Sequence, residues 1–293
     1  MIYTHVSACL ALIVLALPGT GFADDSRRNQ PQLIWSEEFN TGTVPDTTVW
    51  NYDTGATGWG NEELQLYTDL PSNARVENGN LVITARRHED GEEPFTSARI
   101  HTEDKLEFQY GILVARIKLP DLEDGLWPAF WALGSDFSEV GWPDCGELDV
   151  MELGHSNAIR EDLVNHRVGS AAHWEHKGEH ALYHDSLDSD SDLSEDFHIF
   201  RMTWTPEFVR TSVDGEPVWT MDLRKQSCTD CSEFHQPFFV ILNLAVGGKY
   251  PGILAADEIT APFPAEMLVD YVRLYDNGFT EISGSALNRT ASD

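Results

Sequence analysis

The chain has 293 residues, of which 49 are Asp or Glu and 19 are Lys or Arg, for a formal charge of -30 at neutral pH. An acid excess of that size excludes nucleic acid and anionic membrane surfaces as partners, since both repel it, whereas a neutral polymer is indifferent to the field. A hydrophobic content of 41% is ample for one large packed domain or two small ones, and no repeat or low-complexity linker divides the sequence.

The first 23 positions hold no Lys, Arg, Asp or Glu. The apolar run Cys9 to Leu17, then Pro18-Gly19 and the small-x-small triplet Gly21-Phe22-Ala23, reads as a secretory signal peptide over residues 1–23. It lacks a basic start, and it is too short to span a bilayer. Residues 24–275 then form one folded domain and residues 276–293 a polar C-terminal tail, in a secreted (extracellular or periplasmic) protein expected to be a monomer. Removal of the signal takes Cys9 with it and leaves Cys145, Cys228 and Cys231. Cys228 and Cys231 are spaced for a small-loop disulfide in an oxidising compartment. Zinc would need two further ligands, and no partner pair for them is present. Cys145 reads as a small buried hydrophobe rather than a nucleophile.

The first strand is expected at residues 33–39, Leu-Ile-Trp-Ser-Glu-Glu-Phe, followed by a glycine- and aromatic-rich loop from Trp50 to Thr68. Leu81 to Arg86 and Ser97 to Thr102 read as short strands and Lys105 to Leu119 as a longer alternating one. Next comes Leu126-Trp127-Pro128-Ala129-Phe130-Trp131, in which the two tryptophans are four apart and so share one strand face.

The segment Gly141 to Gly154 reads G-W-P-D-C-G-E-L-D-V-M-E-L-G. In a regular strand Glu147 and Asp149 share a face and Glu152 points the other way. A one-residue bulge near Val150 or Met151 resets the parity, placing all three acids in one row with Leu148 packed beneath. Like charges side by side raise at least one pKa, so one carboxyl keeps its proton near neutral pH. One ionised and one protonated carboxyl about 5–5.5 Å apart is what a retaining glycosidase requires. The plain alternative for E-L-D alone is an acidic edge strand kept soluble by its charges.

Residues 155–167 read as a polar loop, Val168 to Trp174 as a strand carrying His173, and Asp185 to Asp196 as a solvated Ser/Asp loop. Strands follow at 197–205, 207–214 and 218–222, with a hairpin turn at Val213-Asp214-Gly215-Glu216. Phe238 to Val246 is nearly all apolar, the pattern of a strand buried on both faces, and Met267 to Tyr275 closes the fold. Helical periodicity is almost absent, and so many short strands with turn signals indicate an all-β sandwich.

The W-P-A-F-W strand, the G-W-P turn and the E-L-D-x-x-E row together resemble family-16 glycoside hydrolases, specifically the laminarinase-like endo-β-1,3-glucanases, and the similarity runs from about Leu33 to Tyr275. The resemblance implies a jelly roll with a cleft across its concave sheet. It implies Glu147 as nucleophile, Glu152 as general acid/base and Asp149 as the residue that tunes the pair. It also implies β-glucan contacts from Asn61 in G-W-G-N-E-E-L-Q-L-Y, from Arg99 in T-S-A-R-I, from His173 in A-H-W, and from Trp127, Trp131 and Trp142, whose indoles suit the flat faces of sugar rings. For Trp59, packing into the core is as good a reading. Relatives that bind β-glucan without cleaving it lack one or both glutamates, and this chain has both; hydrolysis of mixed-linkage glucan or of a galactan is the other alternative. No cofactor is implied for catalysis. A structural calcium site is implied at Glu38, Gly79 and Asp270, oxygen donors that suit a hard cation.

Overall fold

The computed structural model describes residues 31–90, 93–225, 228 and 230–288. The expected signal peptide lies outside them. In chain order the strands are β1 (Gln32–Glu37), β2 (Asn51–Asp53), β3 (Gln65–Tyr67), β4 (Ala74–Glu77), β5 (Asn80–Arg87), β6 (Phe95–Ser97), β7 (Arg99–His101), β8 (Glu107–Gln109), β9 (Gly111–Lys118) and β10 (Leu126–Gly134). They continue with β11 (Glu147–Glu152), β12 (Arg167–His176), β13 (Glu179–Asp188), β14 (His198–Trp204), β15 (Phe208–Val213), β16 (Glu216–Asp222), β17 (Phe238–Val246), β18 (Ala265–Asp276) and β19 (Glu281–Ser283). The two α-helices among the described residues, α1 (Phe137–Val140) and α2 (Ser156–Arg160), are one turn each.

Two sheets form a β-sandwich jelly roll. The first runs β16-β15-β14-β9-β18-β5-β6-β3, with β1 on β18 and β4 on β5; the second runs β13-β12-β11-β10-β17-β7-β2, with β8 and β19 extending from β17. Residues of β14 alternate between buried and open, as expected of a sheet with one face on the core and one in water. β17 is buried at all nine positions for a different reason on each face. Its even residues, Phe238 to Val246, enter the main core, while Phe239 and Ile241 join Leu133 and Cys145 in a small cluster under Trp131.

The pairing corrects three expectations. β13 continues to Asp188, so the loop expected from Asp185 starts later; ten pairs with β12 hold the strand even though most of its side chains are exposed. Residues 156–160 of the expected polar loop are helical. The expected tail is ordered as far as it is described: Glu281, Ile282 and Ser283 pair with Gln109, Phe108 and Glu107, and Ala286 is buried. Backbone hydrogen bonding holds this segment, and composition does not register that. Cys228 and Cys231 are disulfide-bonded, as expected. Cys145 is fully buried, and burial pushes its thiol up to about 12, so it is no nucleophile.

Candidate active site

The acid row rests on a bulge. Along β10, Ala129, Phe130 and Trp131 face Glu152, Met151 and Asp149 in unbroken succession, so Val150 is the extra residue. Leu148, Val150 and Met151 are all buried in the core, and the three acids share the opposite face. The bulge is braced from below. Ser170 donates to the Val150 carbonyl at 2.8 Å, and Thr211, from the opposite sheet, donates to Ser170 at 2.8 Å, with both hydroxyls buried.

Three rungs cross this face. Asn243, Ala129, Glu152 and Gly169 form one; Ile241, Trp131, Asp149 and Ala171 the next; Phe239, Leu133, Glu147 and His173 the third. Small residues, Ala129 and Gly169, therefore flank Glu152 on both sides, whereas Asp149 lies between Trp131 and Ala171. Trp127 and Trp131 share the face with them, as their spacing predicts. The Trp127 indole donates to Glu152 Oε1 at 2.9 Å and stacks on Tyr250 at 4.8 Å between centroids. Trp131 donates to Asn243 Oδ1 at 2.8 Å, and the Arg99 guanidinium lies over its ring at 4.7 Å and over Trp59 at 5.2 Å. Arg99 is ion-paired with Asp53 at 2.9 Å. His173 Nε2 lies 3.3 Å from Asp149 Oδ2 and 3.7 Å from Glu147 Oε1. Trp142 is exposed at the lower end, its ring 6.0 Å from that of His173. Asn61 caps the turn Gly58–Gly60, and its backbone carbonyl accepts from Lys249 N at 2.8 Å.

Burial and mutual repulsion set the charge of the row. Glu147 is pushed up to about 8 by burial first and the Asp149 charge second, with His173 and Arg99 pulling the other way. Burial pushes Asp149 up to about 8 as well. Glu152 rises to about 8 through burial and then Asp149, opposed by the Trp127 indole and by His173. The row therefore does not carry three charges at neutral pH. His173 and Arg99 favour the ionised form of Glu147, and the Trp127 indole and His173 favour that of Glu152, so the two glutamates hold their protons at similar values.

All three acids hold protons more tightly in the folded chain than in the unfolded one, so the stability they contribute is present below the ordinary carboxylate range near 4 and is lost as pH rises through about 8. Asp149→Asn is expected to melt above the parent at pH 8 and level with it at pH 4. Each kcal/mol recovered is worth about 2–4 °C in a domain of this size. A lower melting point at pH 8 would show that the contact with His173 outweighs the cost of the buried charge.

Tyr250, His180 and Asn243 belong to the site and were not singled out from the sequence. Tyr250 follows Gly247-Gly248, whose φ values are +65° and +103°. A Cβ on Gly247 would sit 2.5 Å from Leu64 Cδ1, and one on Gly248 2.9 Å from the Asn61 carbonyl. The glycine pair thus lets this loop close against residues 58–64 and carry Tyr250 onto Trp127.

Glu147, Asp149 and His173 offer donor atoms within 4.8 Å of one another, and among the described residues no other such group could hold a metal ion. At the expected calcium position, the register brings Glu38 and Asp270 close to the turn at Gly79, where an added Cβ would lie 3.4 Å from Asn40 Oδ1. The two carboxylates are engaged elsewhere, however: Arg273 holds both oxygens of Glu38 at 2.9 and 2.7 Å, and Arg116 holds Asp270 at 2.8 Å. Asp270 Oδ1 and the backbone carbonyls are the oxygens these segments have left for a hard cation. Two hollows, of about 380 Å³ near Pro120 and Glu266 and about 460 Å³ near Arg86 and Phe263, include none of Glu147, Asp149 and Glu152.

Residues 61–272 match the family described as Glycosyl hydrolases family 16. The chain belongs to that family. A beta-glucanase of Rhodothermus marinus is 36% identical over 258 residues, covering 83% of this chain and 85% of its own length. The catalytic domain of an endo-1,3-beta-glucanase (laminarinase) from Thermotoga petrophila superposes with a TM-score of 0.72 at 39% identity, over 85% of this chain and 99% of that domain. The alpha subunit of clotting factor G from Tachypleus tridentatus is 36% identical, and this family-16 chain spans about a third (34%) of its length. Membership makes the chain a glycoside hydrolase, which the paired carboxyls of the row suit without a catalytic cofactor.

Proposed function

We propose that this family-16 chain is a secreted, retaining endo-β-1,3-glucanase of the laminarinase type that also accepts mixed-linkage β-1,3-1,4-glucan. The observation that carries the reading is the acid row on its bulge: Glu147 beside His173 and under the influence of Arg99, Glu152 held by a neutral indole, and Asp149 buried between them. Glu147 attacks the anomeric carbon while the protonated Glu152 gives its proton to the departing glycosidic oxygen. Glu152, now ionised, takes a proton from water, the water oxygen displaces Glu147, and the anomeric configuration is retained. Asp149 raises the pKa of both partners and so keeps the proton on the row.

Trp127, Trp131 and Trp142 supply rings along the cleft, Arg99 holds its guanidinium over Trp59 and Trp131, and Asn61 would add an amide from the adjoining loop. A β-1,3-linked chain is curved and meets such rings at changing angles. Incubation with linear β-1,3-glucan, mixed-linkage β-glucan, cellulose and agarose is expected to give endo cleavage of the first, some of the second and none of the last two. Trimers should turn over more slowly than longer oligomers, because remote subsites contribute to distortion of the reacting ring. Binding of glucan without cleavage, or cleavage of agarose alone, would overturn the reading.

Export rests on the apolar run Cys9 to Leu17 and on the Cys228–Cys231 disulfide, which an oxidising compartment favours. A calcium ion held by Asp270 Oδ1 and by carbonyl oxygens at Glu38, Gly79 and Asp270 would act on stability alone. Chelation is then expected to lower the melting point and leave the rate at low temperature unchanged; the reverse pattern would exclude it.

A further inference from the structure

β12 and β13 form a hairpin in which Glu175 pairs with His180 and His173 with Leu182, so both histidines project from the cleft face. Lys177 and Gly178, with φ of +56° and +82°, make the turn that brings them together. His173 Nδ1 and His180 Nε2 are 2.8 Å apart, a hydrogen-bond distance. The two rings are parallel within 9°, their centroids 5.1 Å apart, and the Trp142 ring covers His180 at 4.6 Å. His173 is mostly enclosed, with 18% of its side chain open, whereas His180 is exposed.

The direction of the hydrogen bond follows from what lies on the other side of His173. Its Nε2 faces Asp149 Oδ2 and Glu147 Oε1. Where either carboxyl is ionised it only accepts, and the buried Asp149 Oδ2 has no hydrogen bond from elsewhere, so in that state Nε2 carries the hydrogen. A neutral imidazole with hydrogen on Nε2 has a lone pair on Nδ1, and Nδ1 then needs a donor. His180 Nε2–H is the donor in place.

We propose that His180 is a positioning residue: by donating from Nε2 to His173 Nδ1 it fixes the tautomer and ring orientation through which His173 presents an N–H to Asp149 and Glu147. The proposal rests on the reading of Glu147 and Asp149 as catalytic, and its first readout does not depend on activity. Should the pair take up a proton, His173 becomes the donor on Nδ1 and His180 moves its own hydrogen to Nδ1, so the contact survives.

The test compares the full chain with His180→Leu and His180→Gln. Long-range proton–nitrogen NMR of the histidine rings at pH 8 is expected to show His173 with hydrogen on Nε2 in the parent and in His180→Gln, whose amide can still donate, and a mixture of tautomers in His180→Leu. On β-1,3-glucan, kcat should fall about tenfold in His180→Leu with KM little changed, and recover to within about threefold in His180→Gln. Hydrogen on Nδ1 of His173 in the parent, or a single unchanged tautomer in His180→Leu, would overturn the proposal. If His180→Leu does not fold, hydrogen on Nδ1 of His173 in the parent, or a loss of kcat in His180→Gln equal to that in His180→Ala, overturns the proposal. A parent that shows the expected tautomer yet cleaves no glucan refutes the function and leaves the hydrogen-bond assignment standing.

Discussion

Glu147→Gln is expected to lower kcat on β-1,3-glucan by about 10⁴-fold or more while glucan still binds, because the amide keeps the shape of the side chain and cannot form the glycosyl ester. The change also removes a buried, repelled charge from a row whose members burial pushes up to about 8, so the variant should melt no lower than the parent at pH 8. Shortening the residue to Ala opens a space that a small external anion such as azide can enter. Attack from that side is expected to restore some turnover and to give a product of inverted configuration. Restored turnover with retention, or a Glu147→Gln variant of ordinary activity, would remove Glu147 from the role of nucleophile.

Glu152→Gln should separate substrates by their leaving groups. A natural glucan releases a sugar hydroxyl, which departs slowly unless it is protonated, and the loss of general acid catalysis is worth typically 10²–10⁴-fold. An aryl glucoside with an acidic phenol leaves without that help, so its first step should be nearly unaffected and the glycosyl-enzyme should accumulate, visible as a burst of phenol. Equal losses on both substrates would assign the acid role elsewhere. The Trp127 indole donates to Glu152 and Tyr250 backs the indole, so the variant's amide must turn its oxygen toward Trp127 and its nitrogen toward the substrate.

The acid row was legible in the sequence because two glutamates five apart cannot share a face of a regular strand, and a bulge at Val150 or Met151 was the way to reconcile spacing with chemistry; Val150 is the extra residue. The double burial of β17 was legible from its apolar run. His180 was not, because β13 is exposed at nearly every position and carries no alternation; only its ladder with β12 makes it a strand. Tyr250 sits in a loop whose path depends on how closely two glycines let it approach residues 58–64, a tertiary fact. The fate of Glu38 and Asp270 depended on Arg273 and Arg116, arginines brought alongside by the register of β18 with β1 and β9 rather than by nearness in sequence.

The two hydroxyls beneath Val150 tie the chemistry to a part of the molecule that no sugar touches. Thr211 belongs to β15, on the far layer of the sandwich, yet through Ser170 it reaches the carbonyl of the extra residue in the ladder. At this point the two layers are one mechanical unit. Each hydroxyl accepts or donates where an alanine could do neither, so the orientation of the three acids is specified through the full thickness of the protein, and the outer layer is part of the catalyst's frame as well as its cover.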